Sequence, residues 1–141
     1  MSGEAKTPPT HDFGPGALDR AVELIRFLRE HCAWDRAQTP ETLIPHLLEE
    51  SHEVVDAIRG GRDEDLEGEL GDLLLHLAFQ IVLGEEQQAF TPDSVARRLE
   101  EKVKRRHPHL FGLGEQVDWE VLKAREREDG TSVLTGLPEA M

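Results

Sequence analysis

Tyrosine is absent from this chain of 141 residues, aromatic residues make up only 5% of it, and there is a single cysteine, Cys32. One thiol cannot form an internal disulfide, so stability must come from a packed core. The longest apolar stretch, Leu73 to Leu83, is about half a membrane span and is interrupted by His76 and Gln80, so no membrane partner is expected. No basic-then-apolar leader pattern opens the sequence, and a cytoplasmic location is expected. Positive charge is also scarce: 16 Lys and Arg stand against 29 Asp and Glu, a formal net charge of −13. Such a surface argues against general nucleic-acid binding, which requires phosphate neutralisation. One bound nucleotide remains compatible with it, because a divalent cation bridges acidic side chains to phosphate oxygens.

What is present is helical. Leu, Ala, Glu and Arg dominate the middle of the chain, and no period-two strand pattern or internal repeat occurs. The reading is a flexible tail over residues 1–16, one helical domain over 17–128 and a C-terminal tail over 129–141. Leu18, Val22, Ile25 and Leu28 recur at helical spacing and predict a first helix from about Ala17 to Glu30. His31 to Gln38 reads as a loop. Thr39-Pro40-Glu41 is a strong helix start, for a second helix ending at Gly60-Gly61. Pro45 delays its regular part. A third helix begins at Asp63 or Asp65 and ends near Gly84. Thr91-Pro92-Asp93 opens a fourth that reaches Arg106, where His107-Pro108-His109 breaks it. A last short helix is expected over Trp119 to Glu128. The fold class is therefore all-α, an antiparallel four-helix-type bundle. The third helix is apolar nearly all round, so dimerisation or higher self-association is expected to complete its cover.

Acidic residues supply the chemistry. On the second helix, Glu50 and Glu53 are i,i+3 neighbours at the edge of the apolar arc, while Glu49 and Asp56 turn toward the polar side. On the third, Glu69, Asp72, His76 and Gln80 share one stripe. An unpaired carboxylate on an apolar helix is costly, and two on one face require protonation, basic partners or a metal. If the acids of the two helices face each other, only a cation makes the pocket tolerable. Hard oxygen ligands favour Mg²⁺, Mn²⁺ or Ca²⁺. Gly71, costly in mid-helix, suggests a close helix approach. His76, one turn from Asp72, reads as a packed or ligand-supporting residue rather than a direct ligand.

Glu49-Glu50-x-x-Glu53 followed by Glu69-x-x-Asp72, with Cys32-Ala33-Trp34-Asp35, Gln38-Thr39 and Arg105 to Phe111 (Arg-Arg-His-Pro-His-Leu-Phe), resembles the MazG family of nucleoside triphosphate pyrophosphohydrolases. Ala33 stands where that family usually has Pro. The resemblance runs from about Leu18 to Arg127. It implies an all-α, usually dimeric fold and Mg²⁺-dependent cleavage of nucleoside triphosphates to monophosphate and pyrophosphate, with Mn²⁺ as a possible substitute. By family pattern Glu50, Glu53, Glu69 and Asp72 are the metal ligands, and Lys102, Arg106, Trp119 and Lys123 match nucleotide-contacting positions. Trp34 and Asp35 are further candidates, for a base or sugar pocket or for stapling the loop onto the second helix, and Glu49 for water activation or a second metal. Many members carry two such domains in tandem. Leu134 to Pro138 resembles the segment after a first domain, so both a single-domain form and a portion of a longer protein are consistent with the sequence. Competing readings are a narrower dUTP, dCTP or phosphoribosyl-ATP hydrolase, a di-iron bundle suggested by Glu49-x-x-His52, and a non-catalytic helical interaction module.

Overall fold

The structure, a computed structural model, describes residues 16–112, 115 and 118–128, so the two expected tails lie outside the described residues apart from Gly16. Every regular element among the described residues is helical. They fall into two compact units, one through Pro92 and one from Asp93 onward.

In the first unit α1 spans Ala17–His31, a single-turn α2 spans Ala33–Arg36, α3 spans Ile44–Gly60 and α4 spans Asp63–Glu86. A short 3₁₀ turn, Glu41–Leu43, leads into α3. Thr39 Oγ1 accepts from the Thr42 amide (3.2 Å) and Thr42 Oγ1 accepts from the Thr39 amide (2.9 Å), a reciprocal cap that confirms the start signal. Pro45 sits in the first turn of α3, where its missing amide costs nothing. The regular helix accordingly begins after the capped turn. Gly61 closes α3 in a left-handed conformation, φ 77°, which its lack of a Cβ permits.

One expectation of the sequence is corrected here. The segment read as a loop contains the helical turn α2, too short for periodicity to reveal. Arg29 from α1 pins this segment by donating from Nη1 to the carbonyls of Asp35 (2.6 Å), Arg36 (3.0 Å) and Gln38 (3.3 Å), while its other nitrogens grip Glu86 on α4. The helix expected to end near Gly84 ends two residues later, at Glu86. Gly84 lies within α4, and a Cβ there would fall 2.1 Å from the Phe90 ring, so the glycine seats that ring.

The core joins Val22 and Ile25 of α1, Leu43 of the 3₁₀ turn, and Ala78, Phe79, Val82 and Leu83 of α4. At their C-terminal ends α1 and α4 are further clamped by Arg26, whose Nε and Nη2 donate to Glu85 at 3.0 and 2.6 Å. Toward their N-terminal ends the same helices part around an apolar groove of about 330 Å³, lined by Ala21, Leu24, Ile25, Gly71, Leu74 and Leu75, among others. Gly71 therefore does not serve a close helix approach among the described residues: a Cβ there would meet none of their atoms within 4 Å. The apolar residues of α3 and α4 are unevenly covered. Val54 is buried, whereas Ile44, Leu48, Ile58, Leu70 and Leu77 are each roughly half exposed.

The second unit contains α5, Pro92–Arg106, a 3₁₀ turn Pro108–Leu110 and α6, Trp119–Glu128. Its fixed point is an ion pair. Arg106 on α5 forks onto Glu126 on α6, Nε to Oε2 at 3.0 Å and Nη2 to Oε1 at 2.5 Å. The guanidinium also lies over the Trp119 ring, 4.5 Å from its centroid.

Candidate metal centre

Helices α3 and α4 are joined by only two residues, Gly61 and Arg62, so they run antiparallel. Residues equally distant in sequence from Gly61 then face each other: Glu53 and Glu69, Glu50 and Asp72, His46 and His76. The i,i+3 spacing on α3 matches the i,i+3 spacing on α4, and the carboxylates converge. Glu50, Glu69 and Asp72 each offer an oxygen within 4.8 Å of the others. Glu53 lies outside that tight group and is exposed, yet its charge is felt by both Glu50 and Glu69. Asp72 is exposed, while Glu50 and Glu69 are half-buried.

The electrostatics show what this convergence costs. Burial pushes the Glu50 carboxyl above its ordinary 4.5, and the charges of Asp72, Glu49 and Glu53 push it further, against a hydrogen bond from Glu69 that favours ionisation. Burial likewise raises Glu69, followed by Asp72, Glu53 and Glu50 and by its hydrogen bond to Glu50. Each carboxyl therefore resists ionisation while the other is charged. Glu50 Oε1, fully enclosed, has no hydrogen-bond partner among the described residues, and an ionised neighbour cannot supply one. An orphaned oxygen inside a group of three hard anionic donors fits a divalent cation of the Mg²⁺ type. Glu49 is exposed beside Glu50 and outside the cluster. His52, the would-be second member of a Glu-x-x-His iron motif, is exposed and also outside it.

The remaining sequence candidates divide between the two units. Trp34 is exposed on α2, whereas Asp35 is buried and its backbone carbonyl is held by Arg29. In the second unit Lys102 and Lys123 are half-buried, and Arg106 is committed to Glu126 and Trp119. Lys123 lies 3.9 Å from Glu120. Burial pushes Glu126 up, but the hydrogen bond from Arg106 and the charges of Arg106, Arg105 and Lys102 outweigh it, so the carboxyl is held below its ordinary 4.5.

Sequence reasoning overlooked His46. Its ring stacks on His76 with centroids 5.9 Å apart and planes 4° from parallel, and Trp34 meets it edge-on at 6.0 Å. Burial and the neighbouring His46 lower the His76 pKa below 6.5, against the opposing pull of Asp72. Both residues stand one turn from a site carboxylate, at i,i+4 spacing, which was the available signal.

Among the described residues every regular element is helical, and two adjoining antiparallel helices bring three carboxylates within 4.8 Å of one another, which defines the class as all-α protein with a group that could hold a metal ion. Comparison with known proteins makes this specific. Residues 38–111 match the MazG nucleotide pyrophosphohydrolase domain, and the chain belongs to that family. A Thermotoga maritima protein named nucleoside triphosphate pyrophosphohydrolase/pyrophosphatase MazG is 42% identical over 115 residues, covering 78% of this chain and 45% of that protein. The nucleoside triphosphate pyrophosphohydrolase of Escherichia coli K12 is 34% identical over 136 residues, covering 88% of this chain and 52% of that protein. This chain thus spans about half the length of the curated relatives it matches. The crystal structure of a mazG-related protein from Thermotoga maritima superposes with a TM-score of 0.62 at 25% identity, over 81% of this chain and 99% of that one.

Proposed function

We propose that this chain hydrolyses nucleoside triphosphates to nucleoside monophosphate and pyrophosphate with Mg²⁺ as cofactor and Mn²⁺ as substitute. The observation that carries the reading is the convergence of Glu50, Glu69 and Asp72 around the unpartnered Glu50 Oε1. Relatives named for this activity support it.

In this reading Glu50, Glu69 and Asp72 would hold the cation, with Glu53 as the fourth carboxylate. When bound, the cation neutralises phosphate charge and raises the electrophilicity of phosphorus. The chain's own carboxylates fix the place of that charge on two rigid helices, so little reorganisation accompanies the reaction. Glu49 accepts the proton of the attacking water. Its neighbour Glu50 keeps it within one residue of the site, while its solvent exposure lets the proton leave. Lys102, Arg106 and Lys123 stabilise charge developing on the departing pyrophosphate. Trp119 orders Arg106 by stacking, and Trp34 with the Asp35 turn shapes the base or sugar pocket.

The same reading includes a homodimer or higher homo-oligomer and a cytoplasmic setting. Half-exposed Ile44, Leu48 and Ile58 on α3 and Leu70 and Leu77 on α4 give a second copy an apolar face to cover. No helix among the described residues is long and apolar enough to cross a membrane.

Mg²⁺-dependent pyrophosphate release across a panel of nucleoside triphosphates tests the proposal. Turnover of at least one of them, lost on chelation, supports it. No turnover of any, or release of orthophosphate alone, overturns it.

A further inference from the structure

Two histidines beside the carboxylates have no part in the chemistry above, and they adjoin Trp34. His46 and His76 occupy the next rung of the α3–α4 pair, one turn from Glu50 and Asp72 and so about 6 Å along the helix axes. Their rings are parallel, with centroids 5.9 Å apart. Trp34 extends the row from α2, its ring nearly perpendicular to His46 at 6.0 Å. Three aromatic rings in a chain with only two tryptophans and no tyrosine thus collect in one place, and they begin where the acids end.

Packing alone does not account for this row. Trp34 leaves half its surface in solvent, 54%, although it is the largest apolar side chain of its segment. Its turn is nonetheless held firmly, by the three carbonyls gripped by Arg29 and by the Gln38 amide donating to the Trp34 carbonyl at 2.9 Å. An exposed indole on an anchored backbone is suited to receiving a flat ligand. His76 Nδ1 is enclosed and has no hydrogen-bond partner among the described residues. A buried polar nitrogen left so costs free energy that a ligand's own donor or acceptor recovers.

We propose that Trp34, His46 and His76 together form the nucleobase-recognising face of the substrate site, Trp34 stacking on the base and the two histidines discriminating among bases. This rests on the reading of the carboxylates as the phosphate-and-metal end. A nucleotide lying along α3 and α4 carries its phosphates at Glu50, Glu69 and Asp72 and its base toward the histidine rung. Stacking is tolerant of any base, because each has an aromatic face. Hydrogen bonding at an enclosed nitrogen is not tolerant, because the wrong base leaves it unpaired. Selectivity therefore resides in His46 and His76, and affinity in Trp34.

Two arms test this. In the first, a Trp119→Phe background leaves Trp34 as the only fluorophore, and adenosine, guanosine, cytidine and uridine 5′-monophosphates are titrated without metal. Quenching by at least one nucleotide and none by ribose 5-phosphate is expected. His46→Ala and His76→Leu should weaken it by on the order of tenfold, and His76→Asn, whose amide stands in for Nδ1, should restore most of it. In the second arm, kcat/KM is compared across the four triphosphates and with inorganic tripolyphosphate. The ratios among bases should flatten in His46→Ala and His76→Leu, with tripolyphosphate turnover unchanged. Circular dichroism checks the helices. If His76→Leu does not fold, His46→Ala carries both arms, and Trp34→Leu, which removes the fluorophore, joins it in the second. Unchanged base ratios in a wild type that does hydrolyse nucleotides would overturn the inference alone, as would equal quenching by ribose 5-phosphate. Base-selective quenching lost in the variants, in a protein without turnover, would uphold the inference and sink the hydrolase reading.

Discussion

Glu50 on α3 and Asp72 on α4 stand at equal sequence distances on either side of Gly61, and with Glu69 they bring carboxylate oxygens within 4.8 Å of one another. Two helices joined by a two-residue turn have little freedom of register, so this meeting is set by the turn as much as by the acids. The cation-free chain bears the resulting repulsion, and several measurable properties depend on how that repulsion is relieved.

The first is pH dependence. Glu50 and Glu69 hold protons to higher pH when folded than their ordinary 4.5. Between those values the native state binds more protons than the unfolded one, so cation-free stability falls as pH rises through the window. A cation competes with the same protons and gains affinity as they leave. Melting curves with and without Mg²⁺ should therefore diverge as pH rises above 4.5, with the larger stabilisation at the higher pH. A gap that narrows with rising pH would contradict the assignment.

Glu126 behaves in the opposite sense. Its carboxyl is held below 4.5 by Arg106 with help from Arg105 and Lys102. Its contribution is therefore present above about pH 4.5 and is lost as pH falls through the lower folded value. Removing one partner of so enclosed a pair strands the other, and Glu126→Ala should destabilise the α5–α6 unit by about 3 kcal/mol. Hydrogen exchange of α5 and α6 amides measures this locally. In the variant the acid-induced loosening of these helices should be smaller than in wild type.

Arg29 offers a third test. It ties α1 to the α2 turn and to α4 through one guanidinium. Arg29→Ala should cost about 2–3 kcal/mol, the range for charge-assisted bonds whose partners are left behind. The loss should be accompanied by faster amide exchange over residues 33–38. Unchanged exchange there would show that the turn is held by other contacts.

Gly71 gives a prediction of opposite sign. A Cβ there meets open space within the chain, and alanine is favoured over glycine in a helix interior by about 1 kcal/mol. Gly71→Ala should raise stability by about that amount in chemical denaturation. A loss, accompanied by weaker self-association in analytical ultracentrifugation, would mean that a second copy lies against Gly71.

Much of this was legible in the sequence because helices announce themselves by period and punctuation. The predicted last helix, Trp119 to Glu128, and the fourth, ending at Arg106, coincide with α6 and α5. The acid pairs were legible for the same reason, since i,i+3 spacing fixes a face whatever surrounds it. What escaped detection depends on contacts between distant segments. Arg29 reads as an ordinary helix-surface cation until the α2 turn folds beneath it. Gly84 marks the neighbourhood of a helix end in the sequence, but only the fold shows Phe90 seated on it. Gly71 reads as a packing glycine, yet it borders a groove. His46 carried a usable signal, one turn from Glu50, but only the antiparallel register places it on His76.

The most direct test of the central claim is calorimetric titration of Mg²⁺ or Mn²⁺ into the wild type and into Asp72→Asn, with helicity checked in both. The wild type should bind with release of protons, and Asp72→Asn, equally helical, should lose at least tenfold in affinity and its cation-dependent pyrophosphate release. Equal affinity and turnover in the two proteins would show that these carboxylates do not hold the cation.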